Sequence, residues 1–100
     1  MAFQVAWSKT AADDLREIVQ FIAMDHAEAA AKLADQIIHH IEAAANMPLS
    51  SRVVPEKNDS SVCEVILRPY RIIIHVDDSN KRLHVLRIWH GGRGTPEIAE

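Results

Sequence analysis

The feature that most constrains this chain is a change in hydrophobic period, from two to 3.6 and back to two. Phe3, Val5 and Trp7 alternate with Gln4 and Ala6, the pattern of a short strand with one buried face. Ala11, Leu15, Ile18 and Ile22 then recur at helical spacing. Thr10, three residues before Asp13, reads as a capping-box-like start, and Asp13, Asp14 and Glu17 suit the positive end of the helix dipole. Met24-Asp25-His26 interrupts the pattern, and Asp25 and Glu28 repeat the start signal. A second stripe follows in Ala30, Leu33, Ala34, Ile37, Ile41 and Ala44. It stops at Asn46-Met47-Pro48, because proline disfavours helix in the residue before it. These signals predict a helix hairpin over 9–46.

Residues 48–61, with two prolines, four serines and Asn58-Asp59, read as a loop. Three strands are predicted after it, Val62–Leu67, Tyr70–Val76 and Arg82–Trp89. Asp77-Asp78-Ser79-Asn80 makes the turn between the last two, and three consecutive isoleucines suit Tyr70–Val76 to the centre of the sheet. The order β-αα-β-β-β, with helices segregated from consecutive strands, predicts an α+β fold: a helix hairpin on one face of a mainly antiparallel sheet. One hundred residues hold one domain, taken as 1–92, and His90-Gly91-Gly92-Arg93-Gly94 opens a tail over 93–100 that reads as mobile.

No apolar stretch reaches the roughly 18 residues of a membrane span, and MAFQVAWS lacks the features of a secretory signal. The single cysteine, Cys63, has no partner for an internal disulfide and reads as a small buried hydrophobe, so a reducing, cytoplasmic setting is expected. The net charge of −3 is unevenly spread. Residues 1–63 carry five Lys/Arg against nine Asp/Glu, whereas residues 64–93 carry six against three. That balance excludes a general nucleic-acid binder, which needs a strong positive excess, and predicts different partners for the two halves.

Strand alternation assigns Cys63, Val65, Leu67, Ile72, Ile74, Val76, Leu86 and Ile88 to the helix side. The open face receives Glu64, Ile66, Arg68, Arg71, Ile73, His75, Val85, Arg87 and Trp89. Arginines interspersed with Ile66, Ile73, Val85 and Trp89 form the kind of patch that marks a partner surface, unless the tail or the long loop folds over it. Arg71 and Arg87 can grip an anion in bidentate fashion or pair with Glu64. Arg68 and Arg93 are further candidate contacts to a target or an anion. His90 is the candidate acid or base, its ordinary pKa lying near neutrality, and could equally cap the strand end. No metal or other cofactor is expected. His39 and His40 are adjacent on a helix and point about 100° apart, and no cysteine or carboxylate cluster accompanies His75 and His84.

Three segments carry a resemblance to a known family. Trp7-Ser8-Lys9-Thr10-Ala11-Ala12-Asp13-Asp14-Leu15-Arg16-Glu17-Ile18 resembles the opening of ParE-type toxins. Tyr70-Arg71-Ile72-Ile73-Ile74-His75-Val76-Asp77 resembles their central strand, and Val85-Leu86-Arg87-Ile88-Trp89-His90-Gly91-Gly92-Arg93 their closing motif. In order and correctly spaced, these segments make the chain similar to the ParE/RelE superfamily, on its ParE-like, plasmid-stabilisation branch. The resemblance implies a bacterial type II toxin neutralised by a cognate antitoxin, with DNA contacted only through that antitoxin. It implies inhibition of DNA gyrase by binding, with no clear catalytic centre. The alternatives are a RelE-like, metal-independent endonuclease of mRNA on the ribosome, and an interaction module that is not toxic. The sheet half departs from the RelE pattern in having one lysine, Lys81, and no tyrosine after Tyr70. The antitoxin contact is expected at Ile66, Ile73, Val85 and Trp89.

Overall fold

The two helices begin where a side chain can take over a backbone hydrogen bond, although neither cap is the residue that the local pattern suggests. A computed structural model describes residues 2–48, 51–54, 59–94, 96 and 98. The first helix, α1 (Lys9–Ala23), is capped by Ser8, extended at φ −72° and ψ 157°, whose hydroxyl accepts from the Ala11 N–H. Thr10 already lies inside the helix, and a cap must sit on extended backbone just outside it. The second helix, α2 (Ala27–Asn46), is capped by His26 rather than Asp25, with Nδ1 accepting from the Ala29 N–H at 3.0 Å.

The strands are β1 (Gln4–Trp7), β2 (Arg52–Val53), β3 (Val62–Leu67), β4 (Tyr70–Asp77) and β5 (Arg82–His90), in the order β1-β5-β4-β3-β2. β3, β4 and β5 form an antiparallel meander, whereas β1 lies parallel to β5 at the edge. The Phe3 N–H donates to the Ala45 carbonyl at 2.8 Å, which ties the start of β1 to one of the carbonyls that α2 leaves open at its end. β2 was hidden in the loop reading. Two residues are too few to show a period, yet Arg52 and Val53 pair with Glu64 and Cys63. Asp77 closes the predicted turn by accepting from both the backbone N–H and the side-chain amide of Asn80.

The helix hairpin covers one face of the sheet. Ala11, Ile37, Ile41 and Ala44 meet Cys63, Ile72, Ile74 and Leu83 there, with Leu15, Ile18 and Leu33 at the margin. Phe3 and Val5 join this core, but Trp7, at the strand end, remains 37% exposed. The assignment of faces fails at one place. Between the pairs Ile73↔Arg87 and Ile74↔Val85 the register shifts, leaving Leu86 as an extra residue in β5. The bulge reverses the phase of the strand. Val85, expected on the open face, is fully buried in the helix-side core, and Leu86, expected there, lies in a second cluster with Val54, Val62 and Ile73. Ile98 packs on that cluster and Pro96 is buried. Ile98 thereby covers part of the apolar surface of Ile73 and Leu86.

Candidate functional site

β5 outruns β1. Its partner stops at Trp7, paired with Val85, and the last residues of β5 need other partners on that side. The helix entry supplies them. The Ser8 N–H donates to the Val85 carbonyl at 3.0 Å and the Ser8 hydroxyl to the Leu86 carbonyl at 3.1 Å. Further along α1, Asp14 accepts from the Ile88 N–H at 3.0 Å and grips the Arg87 guanidinium, Nε at 3.0 Å and Nη2 at 2.9 Å. A carboxylate on α1 thus does the work of a strand. A carboxylate in the first turns of a surface helix ordinarily faces water, but Asp14 is only 9% exposed. The signal was present in the sequence. Asp14 is three residues from Ala11 and four from Ile18, which puts it within the apolar stripe.

Two cross-strand rows organise the open face, Ile66–Arg71–Trp89 and Glu64–Ile73–Arg87. Glu64, 3% exposed, accepts from Arg71 Nε at 2.6 Å and pairs with Arg52 Nε at 3.2 Å. Of the two partners open to Arg71 on the sequence, an anion from outside or Glu64, the structure provides Glu64. Arg87 is neutralised as well, but by Asp14. Two guanidinium groups lie over the Trp89 ring, Arg87 at 4.9 Å and Arg93 at 4.6 Å from its centre, and its indole N–H donates to the Gly94 carbonyl at 3.0 Å. Of the four residues expected to meet a partner, Ile66 is 41% exposed, whereas Ile73, Val85 and Trp89 are buried. Arg68 and Arg93 are exposed.

His90 stands at the exposed end of β5. Its Nδ1 accepts from the Gly92 N–H at 2.9 Å, and its ring meets Tyr70 edge-on at 5.4 Å. Both rings and Arg93 form one wall of a cleft of about 390 Å³, and Ile18, Phe21 and Ile22 of α1 form the other. Elsewhere, burial and then the nearby Asp59 carboxylate push the Cys63 thiol above its ordinary range, as suits a side chain in the helix-side core. Among the described residues, no group of three or more His, Cys, Asp or Glu side chains is placed to hold a metal, and no helix is long and apolar enough to cross a membrane.

Residues 5–94 match the family model of the ParE toxin of type II toxin–antitoxin systems, parDE. The chain belongs to the ParE toxin family. This ParE-family toxin is also similar in structure to the chromosomal ParDE toxin–antitoxin system of P. aeruginosa, with a TM-score of 0.72 and 21% identity over 89% of this chain and 96% of that one. The RelBE2 toxin–antitoxin complex of Mycobacterium tuberculosis gives a TM-score of 0.65 and 19% identity over 90% of this chain and 99% of that one. A mutant of the E. coli toxin RelE in the free state gives 0.61 and 14% identity over 94% and 88%. At these identities the likeness is one of fold. No curated protein matches the sequence.

Proposed function

We propose that this ParE-family toxin acts by binding, that its target is DNA gyrase, and that a cognate antitoxin holds it inactive by covering the open face of its sheet. The observation that carries this reading is the neutralisation of Arg71 and Arg87 by the buried carboxylates of Glu64 and Asp14. A metal-independent ribonuclease needs cations for the charge on a transferring phosphate, with an acid and a base beside them. Cations already matched to buried carboxylates offer a phosphate little net field, and the Nδ1 of His90 is engaged with Gly92. Arg93 and Arg68, at the surface, are the cations assigned to the target.

The antitoxin reading draws on the family match and on the toxin–antitoxin complexes that share the fold. Ile66, 41% exposed, and the rim of Trp89 are the apolar contacts assigned to it. Ile73 supports that surface from beneath, whereas Val85 belongs to the helix-side core. The excess of basic residues over 64–93 would attract an acidic partner, and the setting in which gyrase and an antitoxin meet is the cytoplasm.

The test is to express the chain without an antitoxin and to label new DNA and new protein separately, beside a supercoiling assay with purified gyrase. DNA synthesis is expected to fail first. His90→Ala should stay measurably toxic, while Arg93→Glu should lose most of its toxicity with the fold intact. Arg87→Ala is a poor probe, since it strands the buried Asp14. A non-toxic His90→Ala variant of native stability, together with immediate arrest of translation and cleaved mRNA, would refute gyrase binding in favour of the nuclease. The absence of any growth defect would mark a non-toxic interaction module.

A further inference from the structure

His75 and His84 stand directly opposite one another on β4 and β5, with ring centres 5.8 Å apart and ring planes tilted by 39°. Both are half-buried on the open face, where the next residues in register are Val62 on β3 and Ala6 on β1. The other four histidines use Nδ1 locally. His26 caps α2, His90 accepts from Gly92, and His39 and His40 lie against the carbonyls of Asp35 and Gln36. Among the described residues, His75 and His84 instead face each other.

We propose that His75 and His84 form a two-imidazole site for a divalent first-row transition ion. Imidazole nitrogen suits zinc, nickel and copper, and two neutral ligands from adjacent strands leave the remaining positions of the ion to water. The dimensions agree. An ion bonded at about 2.1 Å to one nitrogen of each ring lies roughly 3.2 Å from each ring centre, so centres up to about 6.4 Å apart can share it. The observed 5.8 Å falls within that limit. Sharing an ion at a tetrahedral angle needs the ring centres about 0.6 Å closer and one nitrogen of each ring turned toward the ion, a change that the side-chain torsions of both residues would have to supply. The nearest charged pair on the face, Asp77 and Arg82, is two residues further along the hairpin. Asp77 is tied to Asn80, so its carboxylate is not required as a ligand. Uninterrupted alternation of β5 would put His84 on the helix side, away from His75, and only the register on the far side of the bulge brings the two to one face, opposite one another. The site stands independently of the toxin's target.

Calorimetric titration of the full chain with NiCl₂ and then CuCl₂ tests it. One ion per chain is expected, with copper bound more tightly than nickel. His75→Asn and His84→Asn should each weaken binding at least ~10-fold, while a His39→Ala/His40→Ala variant binds as the wild type does. Saturating metal should raise Tm by several degrees in the wild type and leave it unchanged in His84→Asn, provided the apo variants melt cooperatively. The absence of saturable binding at one ion per chain overturns the proposal, as does undiminished binding in either Asn variant or a loss of binding that follows His39 and His40.

Discussion

Replacing Asp14 with alanine removes the acceptor for three hydrogen bonds, two from Arg87 and one from the Ile88 N–H. The side chains of Arg87 and Asp14 are 17% and 10% exposed, so water can do little to relieve the change. Breaking a buried ion pair from one side costs about 3–5 kcal/mol, because the remaining charge is left buried. The orphaned Ile88 N–H adds its own desolvation penalty of about 1–3 kcal/mol if no water reaches it. These terms overlap, and an overall loss of about 4 kcal/mol is expected for Asp14→Ala. In a domain of this size each kcal/mol lowers Tm by roughly 4–8 °C, so the variant should lie close to the limit of folding. Removing both charges is a different matter. Asp14→Leu with Arg87→Met replaces the pair with apolar side chains of similar volume and should recover most of the loss, leaving only the Ile88 N–H unpaired. Urea unfolding of the wild type, Asp14→Leu, Arg87→Met and the double variant, followed by circular dichroism, gives the four free energies of the cycle, provided the m-value stays constant. Tryptophan fluorescence gives a local view, since Trp89 stacks on Arg87. A cost below about 1 kcal/mol for Asp14→Ala, or a double variant as unstable as the sum of the singles, would show that the pair does not hold this edge of the sheet.

Ser8→Ala removes both the cap on the Ala11 N–H and the donation to the Leu86 carbonyl, and should cost about 1–2 kcal/mol in urea unfolding, while Ser8→Thr should keep most of it. Trp89→Ala should weaken the antitoxin complex by at least ~2 kcal/mol by calorimetry, and an unchanged affinity would remove Trp89 from the contact. Because burial raises the Cys63 pKa, the neutral thiol contributes stability that is fully present below its unfolded value and is lost as pH rises through the folded one. Urea midpoints between about pH 8 and 10 should therefore fall further for the wild type than for Cys63→Ala, and iodoacetamide should label the native thiol only as fast as the structure opens.

The elements themselves were legible in the sequence. Ala11, Leu15 and Ile18 mark one helix, and Ile37, Ile41 and Ala44 the next. Tyr70–Val76 and the Asp77–Asn80 turn read directly, because periodicity and turn chemistry depend only on neighbours along the chain. The ParE resemblance was carried by the ordered segments at Trp7–Ile18, Tyr70–Asp77 and Val85–Arg93, and the family match over 5–94 agrees with it. What escaped was every feature created by one element meeting another. Alternation assumes that a strand keeps its phase, and the one extra residue at Leu86 reverses the inward and outward sides, sending Val85 into the helix-side core. A carboxylate in the first turns of a helix normally faces water, and only the early end of β1 exposes the Ile88 N–H and Arg87 to Asp14. The apolar residues of the open face could as well meet a partner as the chain itself, and the tertiary structure sets Val54 and Ile98 over Ile73 and Leu86. Local sequence specifies which residues seek burial. Register and strand length decide what buries them, because these depend on how far each element runs past its neighbour.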